Sequence, residues 1–235
     1  MLRIIKNLRD FIKSAWLMVV TYLPGDAGSK LRFHYWKKRL RYLGENAQID
    51  EGVFFVNPQY IHIGENSWID KNVMIMAGPF NSKREKRTLK NSAYPGEPGV
   101  VFIGKNCHIG TGGILSGISA GIYISDNCGM SAYCKLYALT HHYKSFEDPQ
   151  KIIITCPRAP AESQVIIDGA IYFGPNVGLA LNCTILPGVT LPGNNGAHIN
   201  SVVYKGRYPK DIRLQGDPAK KVGFRSGAGE TTGEK

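Results

Sequence analysis

From residue 49 onward the apolar positions fall in runs that repeat every sixth residue. The clearest run is Phe173, Leu179, Ile185, Leu191, Ala197 and Val203. Shorter runs keep the beat: Ile63, Ile69, Ile75; then Ile103, Ile109, Leu115; then Ile124, Met130, Leu136. Three places after most of these residues stands Asn or Gly, at Asn66, Asn72, Gly78, Asn106, Gly112, Asn127, Asn176, Asn182, Gly188, Asn194 and Asn200. Those residue types tolerate a left-handed backbone at a corner. One place further comes a small or medium residue such as Ser67, Val73, Val177, Val189 or Ser201. A helix repeats at 3.6 residues and a strand at 2, so a period of six is neither. It predicts an all-β solenoid, a parallel β-helix with one flat face per six residues and three faces per coil.

Ahead of the repeat the pattern changes. Ile4, Ile5, Leu8, Phe11, Ile12, Ala15, Trp16, Val19 and Val20 fit a helical stripe, with Arg3, Lys6, Arg9 and Lys13 largely off it. The longest uncharged run, Ser14 to Gly25, is too short for a membrane span, which needs about 20 apolar residues. The scattered charges also fit a signal peptide poorly. Such a basic amphipathic helix can lie on an anionic membrane surface or pack on its own domain. A second basic stretch, residues 30–43, interleaves Lys30, Arg32, Lys37, Lys38, Arg39 and Arg41 with Phe33, Tyr35, Trp36 and Tyr42. It matches no nucleic-acid module, so no nucleic-acid partner is expected; the stretch reads as a helix with a solvated basic face, with a membrane-surface reading as the alternative. The expected organisation is a helical segment over 1–44, the β-helix over 45–205, and an extension and tail over 206–235, frayed from Ser226 on. Two excursions interrupt the coils, one basic and turn-rich at 79–99, the other at 140–164.

Composition narrows the picture. The chain has 235 residues, of which 43% are hydrophobic, enough for one cored domain and too many for wholesale disorder. With 29 Lys+Arg against 18 Asp+Glu it carries a formal charge of +11. Its five cysteines are an odd number, which argues for a reducing compartment, the cytoplasm, rather than a disulfide scaffold. Cys107, Cys128, Cys134 and Cys183 occupy the small inward position of the repeat and read as small buried hydrophobes. Cys156 alone lies outside it.

Loops on a rigid repeat are where chemistry tends to sit. The second excursion opens on Leu139-Thr140-His141-His142-Tyr143. Histidine is well placed to take a proton near neutral pH. Of the remaining histidines, His62, His108 and His198 sit beside inward apolar positions and should point outward.

At this point the chain resembles the hexapeptide-repeat acyltransferases, above all those acting on polysaccharides and sugars, over roughly residues 45–225. Ile185-Leu-Pro-Gly-Val-Thr-Leu resembles the family's Ile-x-Pro-Gly-Val-Thr-Ile. Asn200-Ser-Val-Val-Tyr-Lys resembles its Gly-Ser-Val-Val-Thr-Lys, and Gly216-Asp-Pro-Ala-Lys its closing Gly-Asn-Pro-Ala-Lys. Thr140-His141-His142-Tyr143, with Asp148-Pro149 downstream, resembles a Ser-His-Asp-Tyr stretch followed by Asp-Pro. The resemblance implies coils that wind left-handed, a homotrimer, acetyl-CoA as acyl donor and a carbohydrate acceptor. It implies His141 as general base, with His142 as the alternative. Leu181, Ile199 and Lys205 would hold the cofactor, with Lys220 and Arg225 as further phosphate partners, and Tyr143 and Thr111 would meet the acceptor. Tyr204 and Ile199 are bulkier than the family's residues, which suggests a shifted cofactor or a different acyl group. An amine on a nucleotide-linked sugar, or another small amine, is an alternative acceptor. Zinc lyases of the carbonic anhydrase kind share the fold, but their ligands are spaced histidines, and adjacent His141 and His142 in extended chain point to opposite sides. No metal is therefore expected. A non-catalytic scaffold is the remaining alternative.

Overall fold

A computed structural model describes residues 2–226, with side chains from Lys6 onward. The side chains of Arg3, Ile4 and Ile5, and the expected tail beyond Ser226, lie outside the described residues.

Two helices open the chain, α1 (Leu2–Tyr22) and α2 (Gly25–Lys37). Three parallel sheets follow, and the chain visits them in rotation. The first sheet gathers Tyr42–Leu43, Ile61–Ile63, Val101–Ile103, Ile122–Ile124, Ile171–Phe173, Val189–Leu191 and Gly206–Arg207. The second begins with Gln48–Ile49 and ends with Ile212–Gly216, against which Ala219–Phe224 folds back antiparallel. The third runs from Phe54–Val56 to Val202–Val203. Each return to a sheet completes one three-sided coil. Coil pairing therefore starts at Tyr42, inside the expected helical lead-in, and reaches Leu214, inside the expected C-terminal extension.

The period of six has a direct physical cause. Phe173, Leu179, Ile185, Leu191, Ala197 and Val203 each take a face in turn and point inward, all of them buried. Identical faces stack in register, Ile122 on Ile171 and Leu115 on Leu136 for example, so the core is a column of stacked branched side chains. All eleven Asn and Gly corner residues named above have positive φ. The asparagines also bond to one another across coils. Asn176 Nδ2 donates to Asn194 Oδ1 at 2.8 Å, and Asn182 Nδ2 donates to Asn200 Oδ1 at 2.8 Å. Coils approach too closely for side chains at some corners: a Cβ on Gly174 would sit 2.1 Å from Pro192 O. All five cysteines are unpaired, and the four in the repeat are buried.

α2 closes the first end of the column. Trp36 packs edge-on against Phe55, with ring centroids 4.7 Å apart. Arg32, read from the sequence as part of a solvated basic face, is instead 2% exposed. Its guanidinium donates to Ile49 O and Leu23 O, both at 2.7 Å. The cause is its spacing of four from Trp36, which puts both on the inward side of the helix. His62 and His108 do lie on outer faces, stacked on Phe102 and Trp68.

Phe173 is fully buried in mid-column. Phe173→Ala should lower stability by about 3–5 kcal/mol. Equilibrium denaturant unfolding measures this, and a loss below about 1 kcal/mol would mean the column tolerates a void there.

Candidate active site

The two excursions leave the coils and pair with each other. The first contributes a strand, Glu85–Leu89, where the sequence suggested loop. The second contributes Leu139–His142 and Val165–Gly169. Val165–Gly169 lies between the other two, antiparallel to Leu139–His142 and parallel to Glu85–Leu89. The edge strand, Glu-Lys-Arg-Thr-Leu, lacks apolar alternation because it is held by backbone bonds and packs little of its own surface inward.

Side chains clamp the pair. Glu85 accepts hydrogen bonds from Ser145 Oγ at 2.8 Å and from the Phe146 N–H. Burial alone would raise the Glu85 carboxyl, but the Phe146 N–H and the Ser145 hydroxyl hold it below the usual carboxylate range. Arg84 Nε donates to buried Gln164 Oε1 at 2.8 Å, and Arg84 NH2 donates to Pro157 O at 3.1 Å.

Register then sorts the histidines. His141 pairs with Ile166, which pairs with Lys86. Strand alternation puts His141, Asp168 and Lys86 on one face, and His142, Glu85 and Arg87 on the other. His142 is committed to its own loop. Its ring stacks between Tyr143 and Phe146, both centroids 4.9 Å away, and its Nδ1 lies 2.8 Å from Lys144 O. His141 is half-buried, and its Nδ1 is buried without a hydrogen-bond partner.

Asp168, one diagonal step from His141 across the strand pair, was not singled out in the sequence. It is 2% exposed. Oδ2 accepts from Ser119 Oγ at 2.5 Å and lies 3.4 Å from Lys86 Nζ. Oδ1 is buried and has no partner. Diagonal neighbours lie about 7–8 Å apart at Cα, within reach of an aromatic ring. The signal available in the sequence was an acid standing inside the apolar run 165–173.

Leu89, at the end of the first-excursion strand, also lines a cleft of about 370 Å³. Lys90, Lys205 and Arg207 face it over Gly188 and Gly206, and no carboxylate lines it. Asn91 builds its floor: Nδ2 donates to Ala170 O at 2.9 Å, and Oδ1 accepts from Thr190 Oγ1 at 2.9 Å. Three cations over exposed backbone are the kind of lining that suits a polyanion such as a phosphate chain. Lys205 was expected from the sequence; Lys90 and Arg207 carried no signal, since the fold alone brings them together.

The other expected residues are dispersed. Thr111, Leu181 and Ile199 lie in one row at the corner between the second and third sheets, and Leu181 and Ile199 are exposed. Lys220 sits in the last hairpin, paired with Gln215. Arg225 spends its guanidinium on Asn176 O and on Asn195 O, the latter at 2.9 Å. Tyr143 is exposed beside His142. Within one chain, then, His141, Tyr143 and Lys205 belong to the corner between the third and first sheets, and the rest do not. A larger cleft of about 560 Å³ between α2 and the first coil holds none of these groups. Among the described residues no cluster of three or more His, Cys, Asp or Glu could hold a metal ion.

No sequence-family profile matches the chain. A provisionally assigned lipopolysaccharide biosynthesis O-acetyl transferase of Escherichia coli strain K12, WbbJ, is 27% identical over 158 residues, covering 58% of this chain and 78% of its own length. Among solved structures, the N-acyltransferase AntD of Bacillus cereus, in complex with dTDP and 3-hydroxybutyryl-CoA, superposes with a TM-score of 0.66 at 19% identity, covering 83% of this chain and 88% of that one. A hexapeptide-repeat acetyltransferase of Vibrio cholerae, VCA0836, in complex with acetyl coenzyme A, gives 0.52 at 17% identity, covering 88% and 82%. The fold of this chain is therefore the fold of the hexapeptide-repeat acyltransferases.

Proposed function

We propose that the protein is an acetyl-CoA-dependent O-acetyltransferase that modifies a sugar hydroxyl of a surface polysaccharide or its precursor. The reading takes the coils as a left-handed β-helix whose two inserted segments carry the site. The observation that carries it is His141: a half-buried imidazole with a buried Nδ1 that no described residue partners, on the same sheet face as the buried carboxylate of Asp168. Likeness to WbbJ supports a hydroxyl acceptor. Likeness to AntD, an N-acyltransferase, leaves an amine on a nucleotide-linked sugar as the second reading, since both chemistries use this fold.

In the proposed reaction neutral His141 takes the proton of the acceptor hydroxyl as its oxygen attacks the thioester carbonyl. The tetrahedral intermediate collapses, the acetyl group stays on the acceptor oxygen, and the proton passes to the departing CoA sulfur. Asp168, one diagonal step away on the same face, is the carboxylate that would take up Nδ1–H once the ring turns toward it in the reactive complex. The phosphates of the donor occupy the cleft of Lys90, Lys205 and Arg207. Leu181, Ile199 and Thr111, too far round the coil to join His141 in one chain, serve the neighbouring site in a homotrimer, each site lying between two subunits. The donor and the five unpaired cysteines suit the cytoplasm.

His141→Ala should cost on the order of 10²–10⁴ in turnover with little change in acetyl-CoA affinity, and His142→Ala far less. Activity should fall as pH drops, since an imidazolium cannot accept the proton. Steady-state kinetics on both variants decides; full turnover in His141→Ala overturns the mechanism.

Asp168→Asn should lower kcat on the order of 10²-fold with little effect on KM. A purely structural role would instead reduce the amount of active enzyme and leave kcat per active site unchanged.

Lys205→Met and Arg207→Met should raise KM for acetyl-CoA while leaving kcat nearly unchanged, and wild-type protein should run as a trimer in light scattering. A stable monomer with unaltered acetyl-CoA affinity would remove the shared-site arrangement.

A further inference from the structure

α1 is held to the rest of the protein by its last turn. Val20 is fully buried there, Thr21 O accepts from the Gly52 N–H at 3.0 Å, and Leu23 O accepts from Arg32 NH1 at 2.7 Å. Before that point residues 6–19 are exposed, apart from half-buried Ala15. At 100° per residue, Leu8, Phe11, Ile12, Ala15, Trp16, Val19 and Tyr22 fall within an arc of about 140°, centred about 110° round the helix from Val20. The stripe thus lies to one side of the face that meets the body, and it stays uncovered. Phe11 is 70% exposed, Leu8 59%, Ile12 58% and Trp16 48%. The expectation that the helix packs on its own domain does not hold for this face, and a contiguous apolar surface of this kind marks an interaction site.

Charge identifies what covers it. Lys6, Arg9 and Lys13 line one flank of the stripe, with Asp10 beyond them. Exposed Lys30, Lys38 and Arg39 of the α2 region add to the positive side, while Arg41 is neutralised by Glu97 at 2.7 Å. A second copy of the chain would bring like charge against like charge. No described helix is long and apolar enough to cross a membrane. An amphipathic helix with aromatic and aliphatic side chains on one face and cations beside it instead lies flat in a bilayer interface. We propose that α1 is a docking helix for an anionic lipid surface, with Phe11 and Trp16 inserted among the acyl chains and Lys6, Arg9 and Lys13 at the headgroups. The proposal stands independently of the acyl-transfer reading.

The test is co-sedimentation of the full-length protein with vesicles of phosphatidylcholine alone and of phosphatidylcholine with 30% phosphatidylglycerol. Binding should be strong to the anionic vesicles, weak to the neutral ones, and reduced at least about tenfold when salt rises from ~0.1 M to ~0.5 M, as screening shortens the Debye length. Phe11→Asp/Trp16→Glu should abolish binding while melting at the wild-type temperature. Lys6→Gln/Arg9→Gln/Lys13→Gln should leave only the salt-insensitive part. Trp16 fluorescence should be quenched by brominated lipid, a signal lost in Trp16→Phe. Three results would each overturn the proposal. One is failure of the wild type to bind anionic vesicles. Another is binding that survives Phe11→Asp/Trp16→Glu. The third is dissociation of a lipid-free assembly by that double variant, which would make the stripe a contact between copies.

Discussion

The corners carry this architecture. A three-sided coil needs an abrupt turn every sixth residue, and the backbone makes it by passing through positive φ, which Asn and Gly tolerate with least strain. Once each corner is fixed, the flat faces are two or three residues long up to the last coil and must pair with the face one coil away. Register leaves no choice about which side chains meet: inward residues stack in columns, and outward residues stack in rows such as Tyr42, His62, Phe102 and Tyr123. A frame of this kind cannot bend to close on a ligand. Function has to be added where the chain leaves the frame, or where frames meet.

Both excursions follow from that. They leave the coils at the same corner, between the third sheet and the first, and each would expose unpaired backbone there. Pairing with each other solves this and produces a small sheet whose one face presents His141, Asp168 and Lys86. The cationic cleft begins where its edge strand ends, at Leu89. The catalytic candidate and the anion site are thus joined through one strand of the first excursion. Lys90 and Arg207 lie far apart in sequence: Lys90 reaches the cleft because Glu85–Leu89 rests against Val165–Gly169, and Arg207 because it pairs with Thr190 in the first sheet.

The coils were legible in the sequence because their signal repeats: the period of six, the corner residues and the buried cysteines all arise from one local rule applied many times. The small sheet was not, since each of its strands occurs once and the edge strand has no apolar alternation to betray it. Arg32 was misread because basic residues usually face water, and its three hydrogen-bonding and ionic partners, Leu23 O, Ile49 O and Glu51, come from different elements. His141 was distinguishable from His142 only by resemblance at that stage. Strand register and the ring stacking of His142 supply a physical reason for the same choice. α1 showed its stripe in the sequence, but whether the domain covered it depended on tertiary contacts that no periodicity reveals.

Asp168 is the hardest residue to explain by stability alone. It is buried, and its same-face neighbour along the strand, Ile166, is a buried apolar residue. A carboxylate there gives up its hydration and recovers one hydroxyl bond from Ser119 and one partly exposed cation, Lys86. Oδ1 recovers nothing from the described residues. An apolar residue of similar size would avoid that desolvation and leave no orphaned oxygen. The Ser119 bond does tie the small sheet to the coil, yet a neutral amide could make it as well. What an amide could not do is hold a negative charge beside a ring that becomes positive. The group on the same face whose own buried nitrogen lacks a partner is His141. The cost of burying Asp168 is therefore intelligible under the proposed reaction, in which the carboxylate and the imidazole on its face act together.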